Sequence, residues 1–228
     1  MEINSTIIFE KNWIALQEKG VRFVINEGGS RSSKTYSLCQ MVIVYCLQNP
    51  NKVVSIIRKT FPALRATVMR DFLEILKDLD IYEKTNHNMS ENIYRFPNGS
   101  IVEFFSVDDE QKIRGRKRDI AWCNEANELF YDDFTQLNMR TETKLIFDYN
   151  PSDSSSWLYE LPKDESILIK SIPSKTLSDH FSTFSISLSL TSFFFSTNFT
   201  ISSSSGSLRI CFTGSSFQSS VYGLYGYT

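Results

Sequence analysis

Two apolar segments joined by a glycine-led polar loop near the start of the chain restrict the folds available to it. The first apolar segment covers residues 21–26, the loop covers residues 28–35, and the second apolar segment runs from Thr35 to Leu47. Their lengths predict a buried strand followed by a buried helix. A strand that enters a helix through a short loop is the repeating unit of parallel sheets.

The same alternation of strand and helix continues along the chain. A helix is predicted at residues 63–79, and a hairpin is predicted at residues 93–105 around Asn98-Gly99, where positive φ angles favour a tight turn. Further strands are predicted at residues 53–59, 120–126, 144–150 and 165–171. This order favours an α/β fold, with a mainly parallel sheet flanked by helices.

Charge divides the sequence into two unlike parts. The 24 basic and 26 acidic residues give a formal net charge of −2, which excludes histone-like binding of nucleic acid but permits a local basic patch. Residues 176–228 hold 16 Ser and 8 Phe, and their only charged residues are Asp179 and Arg209. We therefore predict a domain at 1–175 and an irregular, low-charge tail at 176–228. The tail is interpreted as frameshift-derived or disordered, with a small β-rich extension as the third alternative.

The cysteine spacing and the segment lengths argue against a secreted or membrane-bound protein. Four cysteines lack metal-ligand spacing, and three lie in apolar runs, so buried free thiols are expected. The N-terminus lacks the basic and apolar regions of a signal peptide, and no segment is apolar over the roughly 18 residues of a membrane span. These features favour a soluble protein of a reducing compartment, without a membrane partner.

The loop at residues 28–35 is close to the phosphate-binding pattern G-x-x-x-x-G-K-[ST], with Ser33 in place of the second Gly. In that pattern, successive backbone N–H groups hold phosphate oxygens, the Lys contacts the β- and γ-phosphates, and the hydroxyl binds Mg²⁺. The alternative is a polar loop with a solvated Lys. The candidate nucleotide-binding residues are Gly28, Gly29, Ser30, Arg31, Ser32, Ser33, Lys34 and Thr35, with Lys34 also a catalytic candidate.

Polar residues follow two of the later strands. The apolar run at 120–123 ends in Asn124-Glu125, where ATPases usually have Asp-Glu. Glu125 is the candidate catalytic carboxylate, and Asn124 is a candidate Mg²⁺ ligand through water. The alternative is a helix-capping Asn and a surface Glu. Asn150 follows the next strand, where a polar side chain could sense the γ-phosphate, although Asn150-Pro151 is also a common turn.

Five segments together resemble the ATPase domain of the large terminase subunits of tailed bacteriophages, in their PBSX-like branch. They are INEGGSRSSKTYS, SIIRKTFPALRATVMRDF, FPNGSIVEFFSVDDEQKIRG, IAWCNEANEL and FDYNPSDSSSWL, and the resemblance covers roughly residues 7–172. It implies a RecA-like P-loop fold that hydrolyses ATP with Mg²⁺ to drive double-stranded DNA into procapsids. It also implies that Lys34 binds phosphate, Thr35 holds Mg²⁺, Glu125 is catalytic and Asn150 couples hydrolysis to movement.

Basic residues outside the loop are further candidates. By the resemblance, subunits form a ring, and Arg114 is similar in position to the Arg that completes a neighbour's catalytic site; the alternative is a solvated basic loop. Arg58 and Lys59 recur in the family pattern and could contact nucleotide or DNA. Five cations between residues 112 and 118 could track phosphates on a surface, namely Lys112, Arg114, Arg116, Lys117 and Arg118.

The resemblance also implies partners and a missing part. Large terminases work with a portal protein and a small terminase subunit, in the cytoplasm of the bacterial host. Their nuclease domain needs clustered carboxylates, whereas Asp179 is the only carboxylate after residue 175, so nuclease activity is not expected. Two rivals remain open at this point: another P-loop enzyme, such as a helicase-like ATPase or nucleotide kinase, and a non-catalytic prophage remnant.

Overall fold

A computed structural model describes most of the chain as two compact units, residues 5–181 and residues 1–4 with 182–228. The described residues are 4–29, 32–108, 117–151, 157–161, 168–174, 184–186, 197–204 and 207–214. The helices are α1 (Ile7–Gln17), α2 (Lys34–Gln48), α3 (Phe61–Leu64), α4 (Arg70–Asp78) and α5 (Tyr131–Arg140). The strands of the larger unit are β2 (Val21–Gly28), β3 (Val53–Arg58), β4 (His87–Asn88), β5 (Ile93–Arg95), β6 (Ile101–Ser106), β7 (Arg118–Asn124), β8 (Thr141–Tyr149) and β9 (Leu168–Ser174).

The larger unit is built on an eight-stranded sheet in the order β4-β5-β6-β3-β7-β8-β2-β9. Six adjacent strands run parallel to one another, namely β6, β3, β7, β8, β2 and β9. At the β6 edge, β5 pairs antiparallel with β6, and β4 pairs antiparallel with β5. The prediction of an α/β fold with a mainly parallel sheet is confirmed. Strand β8 lies between β2 and β7, and this position determines which side chains meet at the site described below.

Helices cover both faces of the sheet because successive strand residues point to opposite sides. Phe104 of β6 contacts Phe72 of α4, whereas its neighbour Phe105 belongs to a core cluster that includes Phe134 of α5. Helices α1 and α4 both pack against α2, and the α2 residue Cys39 donates to the Val68 carbonyl at 3.8 Å. The layer of α1, α2 and α4 is therefore opposite the layer of α5.

Aromatic rings fill the core beneath α5. Phe134 stacks on Trp157 with the ring centroids 4.8 Å apart, and Phe23 and Phe147 meet edge to face at 5.9 Å. Phe23 and Phe147 are fully buried. Such ring pairs add to the hydrophobic stabilisation that burial itself provides. This packing fixes β2 and β8, the two strands that lead into the candidate site.

Two local predictions need correction. The helix predicted at 63–79 is interrupted by a π-helical turn at Arg65–Met69, between α3 and α4; hydrophobic spacing alone does not distinguish a π turn from an α-helix. In the hairpin turn, Gly99 has a φ of 86°, but Asn98 has no positive φ. Gly99 suits this position because its positive φ is a conformation that L side chains rarely adopt, and an added Cβ would also meet the Asn51 side chain.

The second unit contains three strands, β10 (Phe184–Ile186), β11 (Thr197–Ser204) and β12 (Ser207–Gly214). Strand β12 pairs antiparallel with β11 and parallel with β10. Their sheet has a fourth strand, the short N-terminal strand β1 (Asn4–Ser5), of which only Asn4 belongs to this unit. The frameshift interpretation of the tail stays a prediction.

Across the described ranges, no helix combines the length and the apolar character needed to cross a membrane.

Candidate nucleotide-binding site

The carboxyl ends of β2, β7 and β8 meet at one edge of the sheet. Strand β2 ends at Gly28, β7 at Asn124 and β8 at Tyr149, so the predicted loop, Glu125 and Asn150 all follow parallel neighbours. This edge is where ligands bind in open α/β sheets. The structure thus brings together the described parts of the site predicted from the sequence.

The loop leads directly into α2. Ser33 is the N-cap residue and has a φ of 59°, a left-handed conformation that favours glycine. The Ser33 carbonyl accepts hydrogen bonds from the Ser37 backbone N–H at 3.0 Å and the Ser37 hydroxyl at 2.8 Å. The position where the motif has Gly therefore keeps the glycine-type backbone with a serine. The N-terminus of the 15-residue helix α2 faces this loop, and its dipole favours an anion there.

Lys34 is buried in the loop, with 7% of its surface exposed. Its ammonium donates to the carbonyls of Gly28 at 2.5 Å and Gly29 at 3.1 Å, and to the Ser32 hydroxyl at 3.1 Å. It also donates to Asn150 Oδ1 at 3.2 Å. The predicted phosphate-binding Lys and the predicted sensor Asn are thus in direct contact.

Two carboxylates, those of Asp148 and Glu125, interact electrostatically with Lys34. Burial lowers the pKa of the Lys34 ammonium, and the charges of Asp148 and Glu125 oppose that shift. Glu125 is half-buried and has a φ of 49°, an uncommon conformation for a residue other than Gly. Its carbonyl accepts from the Glu128 N–H at 2.9 Å, which closes the short 3₁₀ turn Ala126–Glu128. Glu125 lies at the end of a buried strand, as predicted.

Asp148 is the residue of this site that the sequence analysis missed. It lies on β8, is 1% exposed, and pairs in register with Asn124 of β7 and Asn26 of β2. Its carboxylate accepts from Trp122 Nε1 at 2.5 Å and from Asn124 Nδ2 at 3.0 and 3.1 Å. Burial raises the pKa of Asp148 to about 6, while those hydrogen bonds oppose the increase. An acidic residue inside an otherwise apolar strand was the available sequence signal.

The remaining atom of the Asn124 amide fits a hydrated metal. Asn124 is 2% exposed, and its Oδ1 has no hydrogen-bond partner among the described residues. A buried oxygen of this kind needs a partner, and the described residues do not supply one. The described residues contain no group of three His, Cys, Asp or Glu side chains arranged for a metal ion. This donor set suits Mg²⁺, which retains several waters and takes few protein ligands.

The remaining predicted residues fall into two groups. Ser32 is buried, and Thr35 is half-buried as the second residue of α2. The predicted alternative of a loop with a solvated Lys is excluded by the burial of Lys34. The residues that lie outside the described part of the chain are Ser30, Arg31, Lys112, Arg114 and Arg116.

One of the five cations predicted to track phosphates on a surface was assigned wrongly. Arg118 is 1% exposed, and its guanidinium lies 5.2 Å from the Phe105 ring centroid. It is buried because β7 begins at Arg118 and passes through the sheet interior. Lys117, by contrast, is exposed and lies 3.6 Å from a carboxylate oxygen of Glu142.

Arg58 and Lys59, at the end of β3, have partners within the chain. The Arg58 guanidinium donates to both carboxylate oxygens of Glu128, at 3.2 and 3.4 Å, and to the Thr67 hydroxyl at 3.2 Å. The Lys59 ammonium lies 4.4 Å from the Phe130 ring centroid. These contacts tie β3 to the segment that follows Glu125, so a nucleotide or DNA contact by either residue stays a prediction.

Comparison with known proteins identifies relatives of this chain. The PBSX phage terminase large subunit of Bacillus subtilis (strain 168) is 28% identical over 154 residues, which are 65% of this chain and 34% of that protein. A large terminase from a thermophilic bacteriophage, solved in complex with ADP, matches with a TM-score of 0.62 and 18% identity. That match covers 74% of this chain and 45% of the other.

A second solved structure contains only the corresponding domain. The large terminase ATPase domain of Thermus phage P74-26 matches with a TM-score of 0.52 and 15% identity, over 71% of this chain and 78% of that domain. The chain thus spans about a third of the length of its PBSX relative and has the fold of terminase ATPase domains. The family model described as phage terminase large subunit (Terminase_3) matches residues 21–191, and the chain belongs to that family.

Proposed function

We propose that this chain binds ATP with Mg²⁺ and hydrolyses it as the motor part of a phage DNA-packaging enzyme. One observation carries the proposal: the Lys34 ammonium, Glu125 and Asn150 converge at the carboxyl edge of the sheet, with Lys34 bonded directly to Asn150. A buried ammonium at a helix N-terminus provides a site for a polyphosphate. Family membership supports the choice of ATP hydrolysis over other phosphate chemistry.

Phosphate binding is assigned to the loop and to Lys34. The β- and γ-phosphate oxygens would replace the Gly28 and Gly29 carbonyls as acceptors for the Lys34 ammonium. Backbone N–H groups at the start of α2 would donate to the same phosphates. The large terminase of a thermophilic bacteriophage, which has a similar fold and was solved with ADP, supports nucleotide binding by this fold.

Hydrolysis is assigned to Glu125. In this proposal the Glu125 carboxylate orients the water that attacks the γ-phosphorus and accepts a proton from that water. Asn124 and the Thr35 hydroxyl would hold Mg²⁺, which when bound neutralises charge on the phosphate oxygens. The free Asn124 Oδ1 is the structural support for this metal assignment.

Coupling to movement is assigned to β8. Asn150 accepts from Lys34, and β8 is hydrogen-bonded to both β2 and β7. Loss of the γ-phosphate would therefore change the partners of a side chain that directly follows β8. Double-stranded DNA, a ring of like subunits completed by Arg114, a portal protein and a small terminase subunit are the partners proposed from family membership.

Two substitutions in the full chain test the site. Lys34→Ala removes the ammonium that binds phosphate, so the affinity for ADP with Mg²⁺ should fall at least 10-fold. Glu125→Gln keeps the size of the side chain but removes the base, so nucleotide should still bind while the turnover number falls about 10²- to 10⁴-fold. Calorimetry measures the affinity, and phosphate release measures turnover.

Glu142→Gln serves as the matched control, because Glu142 is an exposed carboxylate of β8 away from the site edge. Turnover that survives both Lys34→Ala and Glu125→Gln would refute the assignment. Absence of any turnover in the unmodified chain would favour the non-catalytic remnant.

Stimulation by DNA separates the motor from a nucleotide kinase. A motor should hydrolyse ATP faster when double-stranded DNA is added, and it needs no small acceptor. A kinase should instead transfer the γ-phosphate to a nucleoside monophosphate, with no response to DNA. Phosphate release with and without a linear duplex, and product analysis with added monophosphates, distinguish the two.

A further inference from the structure

The carboxylate that Mg²⁺ sites of ATPases usually contain on the catalytic strand is replaced in this chain by Asn124. The nearest buried carboxylate lies one strand away, on Asp148, which is paired in register with Asn124 across β7 and β8. Both side chains are almost fully buried, at 2% and 1% exposure. A carboxyl group is therefore present at this site, on β8 instead of on β7.

The hydrogen bonds define how Asp148 acts on Asn124. An ionised carboxylate only accepts hydrogen bonds, so it favours the Asn124 amide orientation that presents Nδ2–H. The contacts at 3.0 and 3.1 Å join Nδ2 to both carboxylate oxygens. The opposite amide orientation would place two acceptors against each other. Asp148 thus fixes Oδ1 on the side away from itself.

The freed oxygen has no protein partner within the described part of the chain. Asp148 also interacts electrostatically with Lys34 and Glu125, so the hydrogen-bonded pair of Asn124 and Asp148 belongs to the group of side chains around the phosphate loop. Trp122 Nε1, two residues before Asn124 on β7, also donates to the carboxylate, at 2.5 Å. The carboxylate is held in place by β7 at two points.

We propose that Asp148 is a positioning residue for Mg²⁺–nucleotide: it supplies the negative charge that Asn124 lacks and holds Asn124 Oδ1 toward the hydrated ion. The inference rests on the proposed function and adds to it a residue outside the predicted set. Removal of a residue that hydrogen-bonds to a metal-binding side chain commonly lowers the metal affinity by about 10- to 100-fold.

A charge exchange in the full chain tests the proposal. Asp148→Asn keeps the size of the side chain and an oxygen that accepts from Trp122, but it removes the negative charge. Mg²⁺ should raise the affinity of the unmodified chain for ADP, and in Asp148→Asn this increase should be about 10- to 100-fold smaller. The affinity for ADP in EDTA should not fall, because the substitution removes a negative charge near Lys34. The double variant Asn124→Asp with Asp148→Asn returns the carboxylate to β7 and reverses the hydrogen bond between the two side chains. It should recover most of the Mg²⁺ effect.

Glu142→Gln is the matched control, because it removes an exposed carboxylate of the same strand, away from the site edge. It should preserve the Mg²⁺ effect. A merely structural role of Asp148 predicts instead that Asp148→Asn weakens ADP binding to a similar degree with Mg²⁺ and in EDTA. Direct binding of Mn²⁺ in the presence of ADP, followed by electron paramagnetic resonance, gives a second readout that does not require turnover. Circular dichroism verifies the fold of each variant.

The outcomes separate this inference from the proposed function. If the unmodified chain binds ADP more tightly with Mg²⁺ and Asp148→Asn does so equally, the positioning role is wrong while the proposed function stands. If Asp148→Asn does not fold, the double variant Asn124→Asp with Asp148→Asn tests the inference instead. If that double variant folds and its affinity for ADP does not increase on adding Mg²⁺, the inference is wrong. If the unmodified chain binds no nucleotide under either condition, the proposed function itself fails.

Discussion

At the residue scale, burial controls the chemistry of the cysteine thiols. Cys39, Cys46 and Cys123 are fully buried free thiols, which confirms for these three the state expected from the sequence. Burial raises the pKa of each thiol, to about 12 for Cys123. The thiolate, which is the reactive form, is therefore scarce near neutral pH.

This burial predicts a labelling pattern. In the native chain at pH 8, Cys39, Cys46 and Cys123 should resist iodoacetamide, because a thiol of pKa about 12 is ionised in only about 1 in 10,000 molecules at that pH. In denaturant the thiol pKa values return to the ordinary range, and all three should react. Peptide mapping by mass spectrometry identifies the labelled residues, and rapid labelling of any of the three in the native chain would contradict the burial.

Individual residues also show where sequence reasoning stops. Lys34, Glu125 and Asn150 were predicted because motif spacing and strand ends are visible in the sequence, and the structure places them together. Asp148 was missed because its role depends on the pairing of β7 with β8, which no local pattern encodes. Arg118 was misassigned for a similar reason: its burial follows from the position of β7 within the sheet.

At the element scale, the loop before α2 contains a conformational cost. Ser33 has a φ of 59°, and left-handed backbone costs an L-residue roughly 1–2 kcal/mol, whereas glycine adopts it freely. The sequence motif indicated this position, since its usual glycine is the residue that the backbone favours. The π-helical turn between α3 and α4 had no comparable signal.

Substitutions at Ser33 should measure that cost. Ser33→Gly should raise the free energy of unfolding by up to about 1 kcal/mol, because the relief of strain exceeds the extra entropy of glycine in the unfolded chain. Ser33→Val should lower the free energy of unfolding, because a branched Cβ is strained at this φ. Urea denaturation followed by circular dichroism provides both values. Equal stability of the two variants would show that the backbone leaves the left-handed region.

At the scale of the whole molecule, the strand order was predictable only in outline. Alternating strands and helices predicted a parallel sheet, and the observed sheet confirms it. The placement of β8 between β2 and β7 is a long-range arrangement that depends on how crossover helices pack. The predicted boundary at residue 175 remains a prediction; the compact unit extends to Phe181 and the family match to residue 191.

The division into two units predicts the effect of shortening the chain. All described residues of the candidate site lie between residues 5 and 181. A chain that ends at Phe181 should therefore bind ADP with Mg²⁺ as tightly as the full chain and keep its thermal unfolding midpoint. Calorimetry of both chains measures the two quantities. Weaker binding by the shortened chain would show that the second unit contributes to the site.

The hydrogen bonds of Lys34 have a consequence for the proposed binding and release of nucleotide. The ammonium has three hydrogens and four acceptors within this chain, so an arriving phosphate would have to displace bonds already made. When phosphate leaves, the same oxygens would accept these hydrogen bonds again, so the buried cation would keep its partners. Under the proposed function, this competition would weaken net phosphate binding and ease product release, and it would therefore favour fast turnover over tight retention.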